Sequence, residues 1–276
     1  MPKVSVRHLE NGQYVTVDSV EIAVLTNVGL RREHNEDNYY IFDPAGCDTA
    51  SRGMLFAVAD GMGGHAAGET ASRIAVETLR DYYTGAMNGS FVEGLERCIL
   101  DANSRIYSQA QTSPMLKGMG TTLTVALLNN TTLNLGQIGD SRAYLIRAKT
   151  ITQLTDDHSL VAEQIRQGLL TEEEAANHPA RNIITRALGT KEKVEADFST
   201  CALEVDDRVL VCSDGLHGVV PNDQILQISL AAADASAACE GLIARANEGG
   251  GPDNITAIMV HLRPIRPFWK RLLCWK

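Results

Sequence analysis

The 276-residue chain has no long apolar run, and no stretch approaches the roughly 20 apolar residues that a membrane-spanning helix needs. The first residues, MPKVSVRHLENGQY, lack the apolar block of a secretory signal peptide. No segment rich in proline and serine divides the chain. We therefore expect a cytoplasmic protein with one domain over residues 18–262, an extension over residues 1–17 and a tail over residues 263–276.

Paired cysteine spacing and an excess of basic residues are also absent. The six cysteines show no CxxC pattern and mostly lie in apolar segments, which favours buried, reduced thiols over zinc ligands or disulfides. The formal net charge of −9 argues against nucleic-acid binding, because phosphate contacts need a basic surface.

Apolar runs separated by glycine, proline and aspartate predict strands, and two stretches with helical spacing of apolar residues predict helices at 68–83 and 91–110. Two further helices are predicted at 222–230 and 234–248. The predicted strands cover residues 20–26, 38–42, 53–59, 121–130, 131–139, 142–147, 150–155, 194–200, 207–213 and 255–262.

The turns at Asn129-Asn130 and Ala148-Lys149 predict antiparallel hairpins, which exclude a doubly wound parallel sheet. Helix pairs inserted between groups of strands must cover the faces of a sheet. The order predicts an α+β fold, a four-layer α-β-β-α sandwich of two mainly antiparallel sheets flanked by helix pairs. Residues 156–190 are polar, and Thr171 with Glu174 predicts a capping box for a short helix there.

Four aspartates, Asp60, Asp140, Asp214 and Asp253, each lie beside an apolar run and next to a glycine or turn residue. An ionised carboxylate removed from water costs several kcal/mol unless it is paired or bound to a cation. No matching cluster of lysines accompanies these acids. The pattern therefore predicts a site for hard divalent cations, which prefer oxygen ligands.

Short motifs surround these acids. They are REHNED at 32–37, VADGMGGH at 58–65, GMGTT at 118–122, GDSRAY at 139–144, SDG at 213–215 and GGPDN at 250–254. Together, and in this order, they resemble the metal-dependent protein phosphatase family, type 2C, in its bacterial form. The resemblance spans nearly the whole predicted domain.

The resemblance implies two Mn²⁺ or Mg²⁺ ions, bridged by Asp60 and bound also by the Gly61 carbonyl. Asp214 and Asp253 would complete one metal shell. Asp140 resembles the ligand of a third, more weakly bound metal. Arg142, in the same turn, would stabilise the turn.

Glu36 and Asp37 match family acids that hold metal-bound waters, and Arg32 matches the family's phosphate-binding arginine. The implied catalytic residues are Arg32, Asp37 and Asp60. Some family members have a histidine directly after the DG pair as a general acid. Here Met62 occupies that position, and His65 follows three residues later, where we expect it to brace a helix.

The implied activity is hydrolysis of phosphoserine and phosphothreonine monoesters in proteins, by a hydroxide that bridges two metals. The implied partners are phosphorylated proteins, including a serine/threonine kinase and its substrates, with the enzyme a monomer. Residues 156–190 fall where the family carries a mobile flap beside the active site. A catalytically weak regulator that binds phosphoproteins on the same fold is the alternative.

The sequence gives little support to two other classes of protein that bind phosphate groups, the cysteine-dependent phosphatases and the nucleotide-binding proteins. A cysteine-dependent phosphatase needs Cys-x5-Arg, whereas Cys98 and Arg105 are one residue too far apart and lie in a predicted helix. A nucleotide-binding loop needs Lys-Ser/Thr after its glycines, which DGMGGHAAG lacks.

The tail PIRPFWKRLLCWK interleaves Trp269 and Trp275 with basic residues. Such a segment can dock to an acidic partner or an anionic membrane surface. We expect instead that it folds back and buries Trp269, Leu272 and Leu273 against the phosphatase body.

Overall fold

A computed structural model describes residues 4–43, 52–64, 66–85, 90–176 and 178–264. Strands in these ranges form two main sheets and a two-stranded ribbon, and neighbouring strands within each are antiparallel. The strands are β1 (Val4–Leu9), β2 (Gly12–Val17), β3 (Val20–Asn27), β4 (Asn38–Ile41), β5 (Met54–Ala59), β6 (Gly61–Met62), β7 (Gly120–Thr121), β8 (Leu123–Asn129), β9 (Thr132–Ile138), β10 (Arg142–Arg147), β11 (Thr150–Gln153), β12 (Asp197–Ala202), β13 (Arg208–Cys212) and β14 (Ile255–Leu262).

The helices pack in pairs. They are α1 (Ala66–Thr84), α2 (Phe91–Ala110), α3 (Leu160–Arg166), α4 (Glu172–Ala176), α5 (Asp214–His217), α6 (Asn222–Ala231) and α7 (Ala235–Glu248), and a short 3-10 turn covers Pro114–Leu116. No helix among the described residues is both long enough and apolar enough to cross a membrane.

The seven-stranded sheet has the order β1-β2-β3-β14-β13-β10-β11, and the five-stranded sheet has the order β12-β9-β8-β5-β4. Helices α1 and α2 pack together over the five-stranded sheet, while α7, with α6 beside it, covers β3 and β14 of the other. One apolar core fills the space between the sheets and under α1 and α2, and a second lies under α7. The predicted four-layer α+β sandwich is confirmed.

The extension 1–17 differs from the expectation. No strand was predicted before residue 20, yet β1 and β2 form a hairpin at the end of the seven-stranded sheet. Val15 and Val17 are buried in the core between the sheets. Strand β12 also begins at Asp197, three residues later than predicted.

The flap segment 156–190 lies beside β10 and β11 and contains the short helices α3 and α4. The predicted capping box is present, since Thr171 Oγ1 accepts from the Glu174 amide and the Thr171 amide donates to the Glu174 carboxylate. The segment rejoins the body where Leu188 and Thr121 exchange backbone hydrogen bonds.

The loop that joins β3 to β4 is held by Asn254, which directly precedes β14 and is 4% exposed. Its side-chain amide donates to the carbonyls of Val28 and His34, both at 2.9 Å, and its Oδ1 accepts from the Glu36 amide at 2.7 Å. Three hydrogen bonds from one buried amide fix a loop that has no regular secondary structure of its own.

We expect Asn254→Ala to lower the free energy of unfolding by about 2–4 kcal/mol, because it leaves several loop groups unpaired. Urea denaturation measures this, and hydrogen exchange should show faster exchange at the Glu36 amide. Asn247→Ala is the matched control, since Asn247 donates one long bond, 3.3 Å, to the Asn27 side chain. Equal losses in the two variants would contradict the assignment.

Candidate active site

Acidic side chains meet where both sheets end at the same edge. Asp60 follows β5, Asp140 follows β9, Asp214 follows β13, and Asp253 precedes β14. Strands β5 and β9 belong to one sheet, and β13 and β14 belong to the other. Burial and then the charges of four neighbouring aspartates raise the pKa of Asp60 well above its ordinary value; those neighbours are Asp37, Asp214, Asp140 and Asp253.

The pKa values of three other acids near Asp60 are raised as well. Burial raises the pKa of Asp37 to about 7, and the charges of Asp214 and Asp253 add to the effect. Burial and the charge of Asp214 raise the pKa of Asp140 to about 7. Burial and Asp253 raise the pKa of Asp214 to about 6, although a hydrogen bond from Asp60 opposes the rise. These carboxylates cannot all be ionised at neutral pH without a compensating positive charge.

Asp37 is held by two hydroxyl groups from the seven-stranded sheet. Ser213 Oγ and Thr256 Oγ1 both donate to its Oδ2, at 2.8 and 2.7 Å. Its Oδ1 is buried and has no hydrogen-bond partner. The sequence analysis missed Ser213 and Thr256 as site residues, although Ser213 directly precedes Asp214 and Thr256 follows Asp253 by three positions.

The backbone of Asp60 is fixed by the GMGTT segment. The Asp60 amide donates to Thr122 Oγ1, and the Asp60 carbonyl accepts from the Thr122 amide and from Thr121 Oγ1, all at 2.9 Å. These contacts give the motif a structural purpose, because they hold the end of β5 against the start of β8.

Gly61 and Gly68 let backbone segments approach closely. A Cβ at Gly61 would overlap the carbonyl oxygens of Glu36 and Gly68, and a Cβ at Gly68 would overlap Glu36 Oε2. The Glu36 carboxylate, 8% exposed, therefore lies against the first turn of α1.

Arg32 lies at the rim of the acidic cluster, with its side chain 48% exposed. Its Nη2 donates to Asp253 Oδ2 at 2.7 Å, while the Asn254 amide donates to Asp253 Oδ1 at 2.8 Å. Burial lowers the pKa of Arg32, but the charge of Asp253 and its hydrogen bond outweigh burial and raise it.

The turn that carries Asp140 is held on both sides. Gly139, with φ of +106°, has the left-handed conformation that favours glycine. The Gly139 amide donates to Nδ1 of His158, and the His158 amide donates back to the Gly139 carbonyl. On the other side, Ser141 Oγ and Thr122 Oγ1 lie 2.8 Å apart in a hydrogen bond.

Arg142 braces this region at the root of the flap. Its guanidinium donates to both carboxylate oxygens of Asp157, with Nη2 at 2.7 Å from Oδ2, and to the Tyr144 hydroxyl at 2.9 Å. Such a forked pair resists rotation. Arg142 therefore joins β10 to the start of the flap.

The acidic edge suits hard cations. Among the described residues, no three Asp, Glu, His or Cys side chains are arranged to hold an ion by themselves, so backbone carbonyls and waters would have to complete any shell. Asp37 Oδ1 and Asp140 Oδ1 are buried oxygens without a partner. An all-oxygen donor set of this kind fits Mn²⁺ or Mg²⁺.

Two described histidines, His34 and His217, contribute no side chain to the group of carboxylates. His34 has an exposed side chain, and its carbonyl accepts from Asn254. His65 lies outside the described residues. Burial, with the nearby charge of Arg142, lowers the pKa of His217 to about 3, so this ring is neutral at pH 7.

The carboxyl cluster predicts an unusual pH dependence for the metal-free protein. Carboxyl groups with raised pKa hold protons in the folded state that the unfolded chain has released, so their contribution to stability falls as pH rises from about 4 to about 7. Three histidines with lowered pKa, His158, His217 and His261, act in the opposite direction below about pH 6.5. Comparing wild type with a variant that lacks one of the carboxyl groups separates the carboxyl contribution to the pH dependence of stability from the histidine contribution.

We expect Asp60→Asn to raise the Tm of the protein in EDTA at pH 8 by about 2–4 °C, the shift that about 1 kcal/mol produces in a chain of this size, because it removes a carboxylate whose ionisation is opposed by burial and by four neighbouring aspartates. The difference from wild type should shrink toward pH 5. Calorimetric melting across this range measures it. A variant less stable than wild type at pH 8 without metal would contradict the charge-repulsion account.

Known protein phosphatases are similar to this chain in sequence. A family profile described as "Protein phosphatase 2C" matches residues 31–244. The serine/threonine phosphatase Stp of Listeria monocytogenes is 39% identical over 239 residues, which cover 85% of this chain and 93% of that protein.

Two solved structures are similar throughout. Serine/threonine phosphatase Stp1 from Staphylococcus aureus has a TM-score of 0.83 and 33% identity, over 94% of this chain and 99% of that one. The catalytic domain of PstP, a serine/threonine protein phosphatase, in complex with two manganese ions has a TM-score of 0.76 and 36% identity, over 89% and 99% of the two chains. This chain belongs to the protein phosphatase 2C family.

Proposed function

We propose that the protein is a metal-dependent phosphoserine/phosphothreonine protein phosphatase. The observation that carries the proposal is the set of carboxyl groups at the sheet edge, whose pKa values are raised by burial and by one another's charge. These groups can all be ionised near neutral pH only if bound cations offset their negative charge. Relatives named as serine/threonine phosphatases support the substrate class.

Two Mn²⁺ or Mg²⁺ ions would be held by Asp60, the Gly61 carbonyl, Asp214 and Asp253, with Glu36 and Asp37 acting through waters. A third would use Asp140. Two such cations supply a water that ionises near neutral pH and neutralise the charge of an in-line displacement. The structure of PstP with two manganese ions supports the count of two.

The residues of the chain have separate tasks in this reaction. Ser213 and Thr256 hold one oxygen of Asp37, which leaves Oδ1 free to accept from a water. Thr121 and Thr122 hold the backbone of Asp60, so its carboxylate is fixed before substrate arrives. Such preorganisation avoids rearrangement during the reaction.

Arg32 would bind the phosphoryl group of the substrate. Its guanidinium is half-exposed beside the acids, and it has donors beyond the one directed at Asp253. A fork of N–H donors can grip two phosphoryl oxygens and orient the ester for attack from the opposite side.

A groove of about 510 Å³ runs from the acids to the flap, and is where we place the protein substrate. Asp140 and Asp214 line this groove together with Arg166, Arg181 and Asn182 of the flap. The flap is thus the part of the chain that contacts residues flanking the phosphorylated one.

Physiologically, we place the enzyme in the cytoplasm as a monomer, opposing a serine/threonine kinase and acting on its substrates. Free Cys98, Cys212 and Cys239 are buried thiols, which is typical of reducing compartments. Residues 265–276 of the tail lie outside the described residues. We keep the interpretation that this tail packs on the body rather than on a membrane.

The alternative, a regulator that binds phosphoproteins without hydrolysing them, has less support. A protein that had abandoned catalysis would have no reason to retain buried acids whose mutual repulsion costs stability. Asp60, Asp140 and Asp214 all remain in that arrangement.

Turnover of a phosphothreonine peptide with Mn²⁺ tests the proposal. We expect Asp60→Asn to reduce kcat/KM by at least about a thousandfold, because metal binding, nucleophile generation and charge neutralisation are lost together. Circular dichroism should show an unchanged fold. Asp101→Asn, which removes a surface partner of Arg105, is the control and should retain full activity. Wild-type protein that is inactive with Mn²⁺ and Mg²⁺ would refute the proposed function.

Arg32→Ala tests substrate binding separately. We expect kcat/KM to fall by about ten- to a hundredfold, the loss of one charge-assisted contact of about 1.5–3 kcal/mol. Mn²⁺ binding, measured by calorimetry, should not weaken. Arg31→Ala removes a neighbouring exposed arginine and is the matched control. Equal kinetics for the two variants would show that Arg32 does not contact the phosphoryl group.

A further inference from the structure

His217 connects two of the acidic positions. It is the last residue of α5, the four-residue helix that begins at Asp214. Its Nε2 lies 2.9 Å from the backbone carbonyl oxygen of Asp140. The side chain therefore reaches from the element that carries Asp214 to the turn that carries Asp140.

The direction of this hydrogen bond is determined by its acceptor. A backbone carbonyl only accepts, so Nε2 must carry the proton, and the neutral ring supplies that donor. The interaction needs no charge on His217.

Both ends of the connection are rigid. The helix α5 is closed by the Gly218 amide, which donates to the Asp214 carbonyl at 2.7 Å, so His217 and Asp214 move together. A Cβ at Gly215 would overlap the Asn254 carbonyl, so α5 also sits tightly against the start of β14.

At the other end, His158 and Thr122 hold Gly139 and Ser141, the two residues that flank Asp140. In this turn, the Asp140 carboxylate has an oxygen that is still able to accept a hydrogen bond or bind a cation. Asp140 is 6% exposed, and its Oδ1 has no hydrogen-bond partner. Its strongest electrostatic neighbour is Asp214. A cation between Asp140 and Asp214 would need these two carboxylates at a fixed separation, and His217 spans the elements that set it.

We propose that His217 is a positioning residue that fixes Asp140 relative to Asp214 and so sets the affinity of the cation shared by these two carboxylates. The inference rests on the proposed function, because it concerns the weakest metal site of the same centre. It assigns His217 no contact with the substrate and no part in proton transfer.

The test compares His217→Leu, which removes the donor, with His217→Gln, which keeps an N–H donor on a flexible side chain. Each protein is titrated with Mn²⁺ alone, and bound metal is followed by calorimetry and by the EPR signal of free Mn²⁺. His261→Leu is the matched control, because His261 is also hydrogen-bonded through Nε2, here to Asp206, but lies at the far end of β14.

We expect His217→Leu to weaken the weakest Mn²⁺ site by about ten- to a hundredfold, as loss of an outer partner of a metal ligand does, with the tighter sites unchanged. His217→Gln should recover most of the affinity, and His261→Leu should bind like wild type. On a phosphopeptide, kcat at limiting Mn²⁺ should fall in His217→Leu while KM stays the same.

Unaltered Mn²⁺ affinities in His217→Leu would overturn the inference. So would equal weakening of every site, or failure of His217→Gln to restore the weakest one, since either result marks a purely structural role. These outcomes are read from metal binding. A wild-type protein that binds Mn²⁺ but does not hydrolyse phosphopeptides would instead refute the proposed function.

Discussion

Repulsion among buried carboxylates is the constraint on which the rest of this structure depends. Burial raises the pKa of Asp37, Asp60, Asp140 and Asp214, and the charge of Asp214 raises the pKa of the other three further. A fold can retain such an arrangement only if its remaining packing outweighs the cost. The two apolar cores, on either side of the seven-stranded sheet, provide that packing.

Short polar side chains hold the acids in place without neutralising them. Hydroxyl groups of Ser213 and Thr256 share one oxygen of Asp37, and Thr122 holds the Asp60 amide. None of these groups supplies the positive charge that the cluster needs. The arrangement therefore fixes geometry and leaves the charge to be supplied by cations, which is the division expected of a preorganised metal site.

Much of this was predictable, because strands and their flanking aspartates are local features. Asp60 and Asp214 were placed at strand ends from apolar runs alone, and the order of hairpins gave the sandwich. The hairpin of β1 and β2, whose turn is Glu10-Asn11, was missed, although the pair Asn11-Gly12 near alternating apolar residues is a hairpin signal. That signal was overlooked because the segment is polar and β1 is exposed along nearly all its length.

The supporting residues were harder to find. Thr256 contacts Asp37 across 219 positions of sequence, and His217 contacts Asp140 across 77. Serine, threonine and histidine are common beside strands, so their types carry no sign of these contacts. Such roles depend on which strands become neighbours, and a single sequence does not reveal that for β13 and β14.

The pair of Arg32 and Asp253 links the two halves of the proposed reaction. In the proposed function Asp253 would bind a cation, and it is also the ion-pair partner of Arg32, which would bind phosphate. A cation that takes up the charge of Asp253 weakens its attraction for Arg32, since the ion pair is partly exposed and its strength depends on that charge. The guanidinium is then freer to turn toward a phosphoryl group. Metal loading and substrate binding would thus be coupled through one carboxylate, because Asp253 directly precedes Asn254, which holds the Arg32 loop in place.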